Sequence, residues 1–310
     1  MSRGHSFRVP ASTANLGAGF DALSLALQKY LRVTVESAPV FEIVVRGLDA
    51  ASIPATADNL ILRVAHSVAT QRGRTLPAFC MTIENEIPLA RGMGSSAAAI
   101  IAGVTCYELV TDDKLSEQEI FLYAREFESH PDNLAAALQG SLVAAAVGAD
   151  GEVLTAKLSV CEGVCPVVVI PAFGLSTERA RAVLPQTYSR QDAVFNIQRA
   201  AMTIAALTTG RFSMLREAMR DRIHQPYRAQ LIPGFEEILE ISVPGLLGVA
   251  LSGAGPTVLA LAKPEEADAI GRVIAGIFEE HGVKATPSTV NIDTEGRVIL
   301  AADGAAKESL

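Results

Sequence analysis

The sequence predicts an α+β protein of two lobes, each a mixed sheet carrying helices, and three observations point there. Its 310 residues suit one large or two medium domains with a substantial core. Segments with period-two strand character mingle with helical ones, without the strict alternation of a βαβ protein. There is no repeat, no low-complexity linker and only a mild shift in composition. The division into an N-terminal lobe, 1–156, and a C-terminal lobe, 157–310, therefore rests on element order.

The elements follow in order. Arg32–Ser37 and Phe41–Arg46 alternate apolar and polar residues and read as strands. Asn59–Gln71 places Leu60, Ile61, Val64, Ala65 and Val68 at helical spacing. Phe79–Ile83 is a further strand, and Ile87–Leu109 turns from a Gly-rich loop into an Ala/Ile/Val helix. A helix is expected over Glu117–Glu128, with Ser116 as N-cap and Glu119 closing a capping box. Gly140–Val147 and Gly151–Lys157 read as a hairpin around Gly148–Gly151, and Cys165–Ile170 as an apolar strand. Helices are expected at Thr177–Val183, Ala193–Thr208, Phe212–Ile223 and Phe235–Ile241. Strands at Leu247–Leu251 and Thr257–Leu261, a helix at Glu265–His281 and a strand at Ala285–Ile292 complete the chain.

Composition excludes several classes. With 49% hydrophobic and 19% charged residues, the chain is not disordered as a whole. Its 26 basic against 34 acidic side chains, a net charge of −8, argue against broad nucleic-acid binding. A small anionic ligand remains compatible, because a few backbone N–H groups can hold a phosphate on an acidic protein. Cys80, Cys106, Cys161 and Cys165 form no CxxC pair and read as free thiols. MSRGHSFRVP has no apolar core of a secretory signal, and no apolar run reaches the ~18 residues of a membrane span. A soluble, cytoplasmic protein with no membrane and no nucleic-acid partner is expected.

Four segments carry chemistry. In Pro88-Leu-Ala-Arg-Gly-Met-Gly-Ser-Ser-Ala-Ala-Ala-Ile100-Ile101, Gly92 and Gly94 permit a turn before Ser95 and Ser96 open a helix. The unpaired N–H groups of that helix start attract anions, with a polyphosphate as the natural guest. The alternative is an ordinary loop with a serine cap. The segment is neither GxxxxGK[ST] nor a full GxGxxG, so a dinucleotide oxidoreductase is excluded. In Val9–Leu25, Asn15 and Asp21 sit among small residues and glycines, facing a ligand or forming an Asx-type turn. Phe127-Glu-Ser-His-Pro-Asp-Asn-Leu134 gathers Glu128, His130, Asp132 and Asn133, and a single Glu there would serve Mg²⁺. Zinc is disfavoured, the five histidines being scattered. Leu251-Ser-Gly-Ala-Gly-Pro-Thr-Val258 is a second Gly-rich turn, read by itself as a tight β-turn.

Taken together, VPASTANLGAGFD, PLARGMGSSAA, ESHPDN, STERAR and LSGAGPTVLAL resemble, in order and wording, the GHMP kinases. The ASTANLGAGFDALSLAL opening and the HPDN segment resemble the homoserine kinases among them. The likeness runs from about Phe7 to Ile292. It implies a two-lobed GHMP-kinase-like fold, with an N-terminal mixed α/β lobe bearing the phosphate loop and a ferredoxin-like α+β C-terminal lobe. It also implies ATP- and Mg²⁺-dependent phosphorylation of the L-homoserine hydroxyl to O-phospho-L-homoserine, on the route to threonine, by a homodimer.

The resemblance also implies roles. Pro88, Arg91, Gly92, Met93, Gly94, Ser95, Ser96 and Ala97 would form the phosphate loop, and Asn59 would lie beside the adenine. The Ser96 hydroxyl and Glu128 would hold Mg²⁺, with Glu126 in reserve. Asn15, Asp21, Asp132 and Asn133 would hold the amino acid, and Thr177, Arg181 and Arg228 would surround its carboxylate, for which Arg offers a bidentate fork. Asp132, Asn133 and Arg181 form the catalytic set, in which Asp132 is either proton acceptor or substrate anchor. Arg91 faces either the phosphates or solvent. Ala18, Ser24, Ala90-Arg91, Ser129 and Ala136 depart from the family's usual residues, and they bear on substrate identity more than on reaction type. The same chemistry would suit another small hydroxy amino acid such as L-threonine. A binding-only protein of this fold would lack the Mg²⁺ Glu or Ser96.

Overall fold

The computed structural model describes residues 4–300, which form two sheets with helices packed against them. The first lobe opens with β1 (His5–Asn15), β2 (Gly19–Ser37) and β3 (Glu42–Gly47), followed by α1 (Leu60–Gln71) and β4 (Phe79–Asn85). It continues with α2 (Ser95–Thr111), α3 (Glu117–Ala124), α4 (Pro131–Gln139), β5 (Leu142–Val147) and β6 (Val153–Leu158). The strands run in the order β11-β1-β2-β4-β3, where β11 is Val298–Leu300 at the far end of the chain; β5 pairs with β2 and β6. All pairings are antiparallel except β3 with β4.

The second sheet uses β7 (Cys165–Pro171), β8 (Leu246–Leu251), β9 (Val258–Ala262) and β10 (Ala285–Thr289). Between β7 and β8 lie α5 (Thr177–Ala182), α6 (Arg190–Thr209), the short α7 (Leu215–Ala218) and α8 (Gln225–Arg228), and α9 (Phe235–Glu240); α10 (Ala267–Glu280) joins β9 to β10. The order β10-β7-β9-β8 is the 4-1-3-2 arrangement of a ferredoxin-like sheet, as the family resemblance implies. Among the described residues no helix is long and apolar enough to cross a membrane.

Why α2 sits at the centre follows from its composition. A helix apolar on every side must be covered on every side. Ile100, Ile101, Val104, Cys106 and Tyr107 are all 0% exposed. α2 packs against α1, α4, β1 and β2, which cover it from several directions. Burying each large aliphatic side chain there contributes about 1.5–3 kcal/mol over leaving it in water. The start of α2 is thereby fixed while its first turn stays at the surface of a cleft.

Three expected elements come out differently. The helix after Ser116 has the expected capping box but ends at Ala124, not Glu128. Pro131 disfavours helical backbone at His130, which lies at φ −100°, ψ 122°. The same proline then occupies the first turn of α4, where its missing N–H costs nothing. The helix expected over Phe212–Ile223 is a 3₁₀ turn at Phe212–Met214 and one α turn. Further on, the Asp221 carboxylate accepts the N–H groups of Ile223, His224 and Gln225, taking the place of helical carbonyls. The last expected strand stops at Thr289, and the chain crosses back so that β11 pairs with β1.

Candidate active site

A cleft of about 280 Å³ is lined by both lobes and by all four motif segments. The first lobe supplies Asn15, Asp21, Gly92, Gly94, Ser95, Ser96, Ala97, Glu128, Asp132 and Asn133. The second supplies Thr177, Arg181, Arg228 and Gly253. Gly94 caps α2 at φ 70° without a side-chain hydrogen bond to the helix. The first intrahelical bond is from Ala98 N to the Gly94 carbonyl. Ser95, Ser96 and Ala97 therefore have backbone N–H groups without helical acceptors, at the positive end of a 17-residue helix.

The second Gly-rich turn holds this loop in place. The Ser252 hydroxyl donates to the Gly92 carbonyl at 2.6 Å, and Thr257 N donates to the Arg91 carbonyl at 3.3 Å. A Cβ on Gly92 would lie 2.2 Å from the Ser252 carbonyl oxygen, and one on Gly94 would lie 2.1 Å from Ser12 Oγ. Ser12 Oγ itself donates to Asn133 Oδ1 at 2.8 Å, so the Gly-rich loop and the start of α4 share a support.

The side of the cleft around Asp21 is dense in charge. The Arg181 guanidinium grips the Asp21 carboxylate with two bonds, Nη2 to Oδ1 at 2.7 Å and Nη1 to Oδ2 at 3.1 Å. Arg181 Nε is buried without a partner. Asn15 accepts the Asp21 N–H and donates to the Gly253 carbonyl, fixing Asp21 at φ 56°. Arg228 is 1% exposed and donates from Nε to the Ala180 carbonyl and from Nη1 to the Gly253 carbonyl. Burial first, then the neighbouring Arg181 charge, lowers its pKa to about 10, which still leaves it protonated at neutral pH. Phe20 lies beside both guanidinium groups, its centroid 5.4 Å from Arg181 Cζ and 5.3 Å from Arg228 Cζ.

Two carboxylates are tuned in opposite directions. Burial pushes Asp132 up to about 7 although Asn133 N donates to its Oδ1 at 2.7 Å; the nearby Asp21 charge pushes the same way as burial. Burial would also raise Glu128, but the His130 ring and backbone N–H groups, 3.0 and 3.4 Å from its Oε1, outweigh it and hold Glu128 below the usual glutamate value.

Not every expected residue reaches the cleft. Arg91 pairs with Asp49 at 3.0 Å, partly exposed, and does not line the cleft. Met93 is buried at 1% exposure, and Pro88 also lies behind the loop lining. Asn59 caps α1, its Oδ1 accepting from Ile61 N and its Nδ2 donating to the Pro54 carbonyl, and it does not line the cleft. Glu126 bonds Ser67 and Gln71 on α1, while Glu128 is in the cleft.

Comparison with known proteins decides the family. Residues 59–141 match the GHMP kinases N terminal domain, and residues 203–279 match the GHMP kinases C terminal. The homoserine kinase of Solibacter usitatus is 49% identical over 252 residues, 81% of this chain and 83% of that one. The chain belongs to the homoserine kinase family. The Picosynechococcus homoserine kinase is 41% identical over 94% of this chain and 98% of its own. A crystal structure of homoserine kinase from Cytophaga hutchinsonii superposes with a TM-score of 0.84 at 25% identity, covering 97% and 98% of the two chains.

For a homoserine kinase family member, the sequence left some of this cleft unassigned. His130 stands in the expected cluster without a role, yet it bonds Glu128 and lies 3.8 Å from Asp21. Ser176, Gly253 and Phe20 also border the site or its charges. Each lies within a motif named above, but its residue type assigns it no role without the fold.

Proposed function

We propose that the chain transfers the γ-phosphoryl group of ATP to the side-chain hydroxyl of L-homoserine, giving O-phospho-L-homoserine for threonine biosynthesis. One observation carries this reading beside family membership. The free N–H groups at the start of α2 share a single cleft with Asp21, Arg181 and Arg228. The first suits a polyphosphate, and the second suits a group that is both ammonium and carboxylate.

Phosphoryl transfer needs alignment and charge neutralisation more than covalent help. Gly92, Gly94, Ser95, Ser96 and Ala97 supply backbone donors for the phosphates. Pro88, Arg91, Met93 and Asn59 act from behind, as supports of the loop and of α1. The Ser96 hydroxyl and the ionised Glu128 carboxylate are two hard oxygen donors on one cleft, a set that fits Mg²⁺ with phosphate and water completing its shell. When bound, Mg²⁺ would neutralise phosphate oxygens. Arg228 takes the substrate carboxylate together with Arg181 and Thr177, and Asp21 takes the ammonium. Asn15 and Asn133 hold these groups in register. Asp132, with a pKa of about 7, is matched to accept the hydroxyl proton at neutral pH.

The lobe division moves from 156/157 to just after β6 at Leu158, with β11 returned to the first sheet; a cytoplasmic location and a homodimer complete the proposal, and light scattering on the purified chain tests the last. For the reaction, Mg²⁺·ATP and L-homoserine should yield a new phosphomonoester signal in ³¹P NMR, assigned to the γ-oxygen by coupling to its CH₂. Consumption of ATP without that signal would overturn the reading.

A further inference from the structure

His224 is wholly buried and does not line the cleft, yet it joins the two pieces of chain that carry the amino-acid-binding charges. Its Nε2 is 2.8 Å from the Gly17 carbonyl oxygen, four residues before Asp21. Its Nδ1 is 3.2 Å from Arg228 Nη1, one helical turn further on. A carbonyl can only accept and a guanidinium can only donate. The ring must therefore carry its proton on Nε2 and present a bare Nδ1. Burial first, with Arg228 beside it, lowers the His224 pKa against the pull of Asp221, so the ring is uncharged at neutral pH.

The surroundings fix the ring. It stacks on Phe20 with centroids 5.1 Å apart and planes 21° from parallel, and Phe20 lies beside both arginines. Asp221 anchors the segment from behind by accepting the N–H groups of residues 223 to 225 and the Asn196 amide. Asn196 in turn donates to the Ala18 carbonyl, next to Gly17.

We propose that His224 is a positioning residue for the amino-acid subsite, orienting the Arg228 guanidinium through Nδ1 while tying it through Nε2 to the loop that bears Asp21. Arg228 Nη1 is shared between His224 Nδ1 and the Gly253 carbonyl. Removing Nδ1 frees the guanidinium to turn about its remaining bonds. The residue acts on substrate only through Arg228 and never touches it. This inference rests on the reading of Arg228 as the carboxylate site.

The test compares kcat/KM for L-homoserine and for 3-aminopropan-1-ol, which is homoserine without its carboxylate. The wild-type enzyme should strongly prefer homoserine. His224→Phe keeps an aromatic ring against Phe20 and removes both nitrogens. It should reduce that preference about 10- to 100-fold through the homoserine KM, with the ATP KM unchanged. His224→Asn, whose Oδ1 can replace Nδ1 as acceptor, should recover most of the preference. A wild-type enzyme indifferent to the carboxylate would overturn the reading of Arg228. A strong wild-type preference that His224→Phe retains in full would overturn the role of His224 alone. If neither variant folds, ¹⁵N NMR of the wild-type protein decides. A protonated Nε2 with a bare Nδ1 is required, and the opposite tautomer or an imidazolium at pH 7.5 contradicts the proposal.

Discussion

Asp21 and Arg181 form a two-pronged ion pair across the lobes, Asp21 on β2 of the first and Arg181 on α5 of the second. An amino-acid substrate carries the same two charges. Its binding can exchange this internal pair for two new ones, carboxylate to arginine and ammonium to aspartate, without leaving either side chain unpaired.

Arg181→Ala should therefore lower kcat/KM for L-homoserine by roughly 10- to 100-fold, the worth of a hydrogen bond to a charged group, with the ATP KM unchanged. Both side chains are about 30% exposed, so the pair itself stabilises the fold by no more than about 1 kcal/mol. Steady-state kinetics beside thermal melts checks both halves; a large loss of melting temperature with intact kinetics would contradict the assignment.

Gly94→Ala should abolish ATP use and destabilise the protein. The position lies at φ 70°, where a side chain costs about 1–2 kcal/mol, and the added Cβ would also collide with Ser12 Oγ. ATP titration and a melt of the purified variant measure the two effects.

The Gly-rich turn that opens α2 was legible because the signal is local: two glycines, two serines and an apolar run adjacent in sequence. The start of α4 was not. Pro131 among polar residues reads as the end of a helix, whereas the structure uses it to begin one. The pairing of Arg91 with Asp49 and the bond from His224 to Gly17 join residues 42 and 207 positions apart, and no spacing rule reaches that far. The helix expected through Asp221 failed because its side chain competes for the backbone N–H groups, a contest that composition does not reveal.

Asp132→Asn should separate function from stability. The folded-state pKa of Asp132 is raised, so its stabilising contribution is full below about pH 4 and is lost as pH rises towards 7. The amide does not ionise. The variant should thus be more stable than wild type at pH 8, by on the order of a few kcal/mol, with the gap closing towards pH 4. Denaturant melts at several pH values test this. If Asp132 accepts the hydroxyl proton, kcat collapses in the same variant while the homoserine KM holds; an equal loss in both marks an anchor.

Glu128→Gln should raise the Mg²⁺ concentration needed for half-maximal activity about tenfold or more, since a neutral amide is a poorer ligand for a hard cation. Glu126→Gln should not, because Glu126 bonds α1 and lies outside the cleft. A magnesium titration at saturating ATP and homoserine distinguishes them.

The most direct test of the central claim is ADP release with Mg²⁺·ATP across L-homoserine, L-threonine, L-serine and mevalonate. The account predicts strong turnover on homoserine and little on the others. Preference for mevalonate, which has a carboxylate but no ammonium, would contradict the pairing of Asp21 with an amino group on which the account rests, and comparable turnover on threonine would contradict homoserine as the substrate.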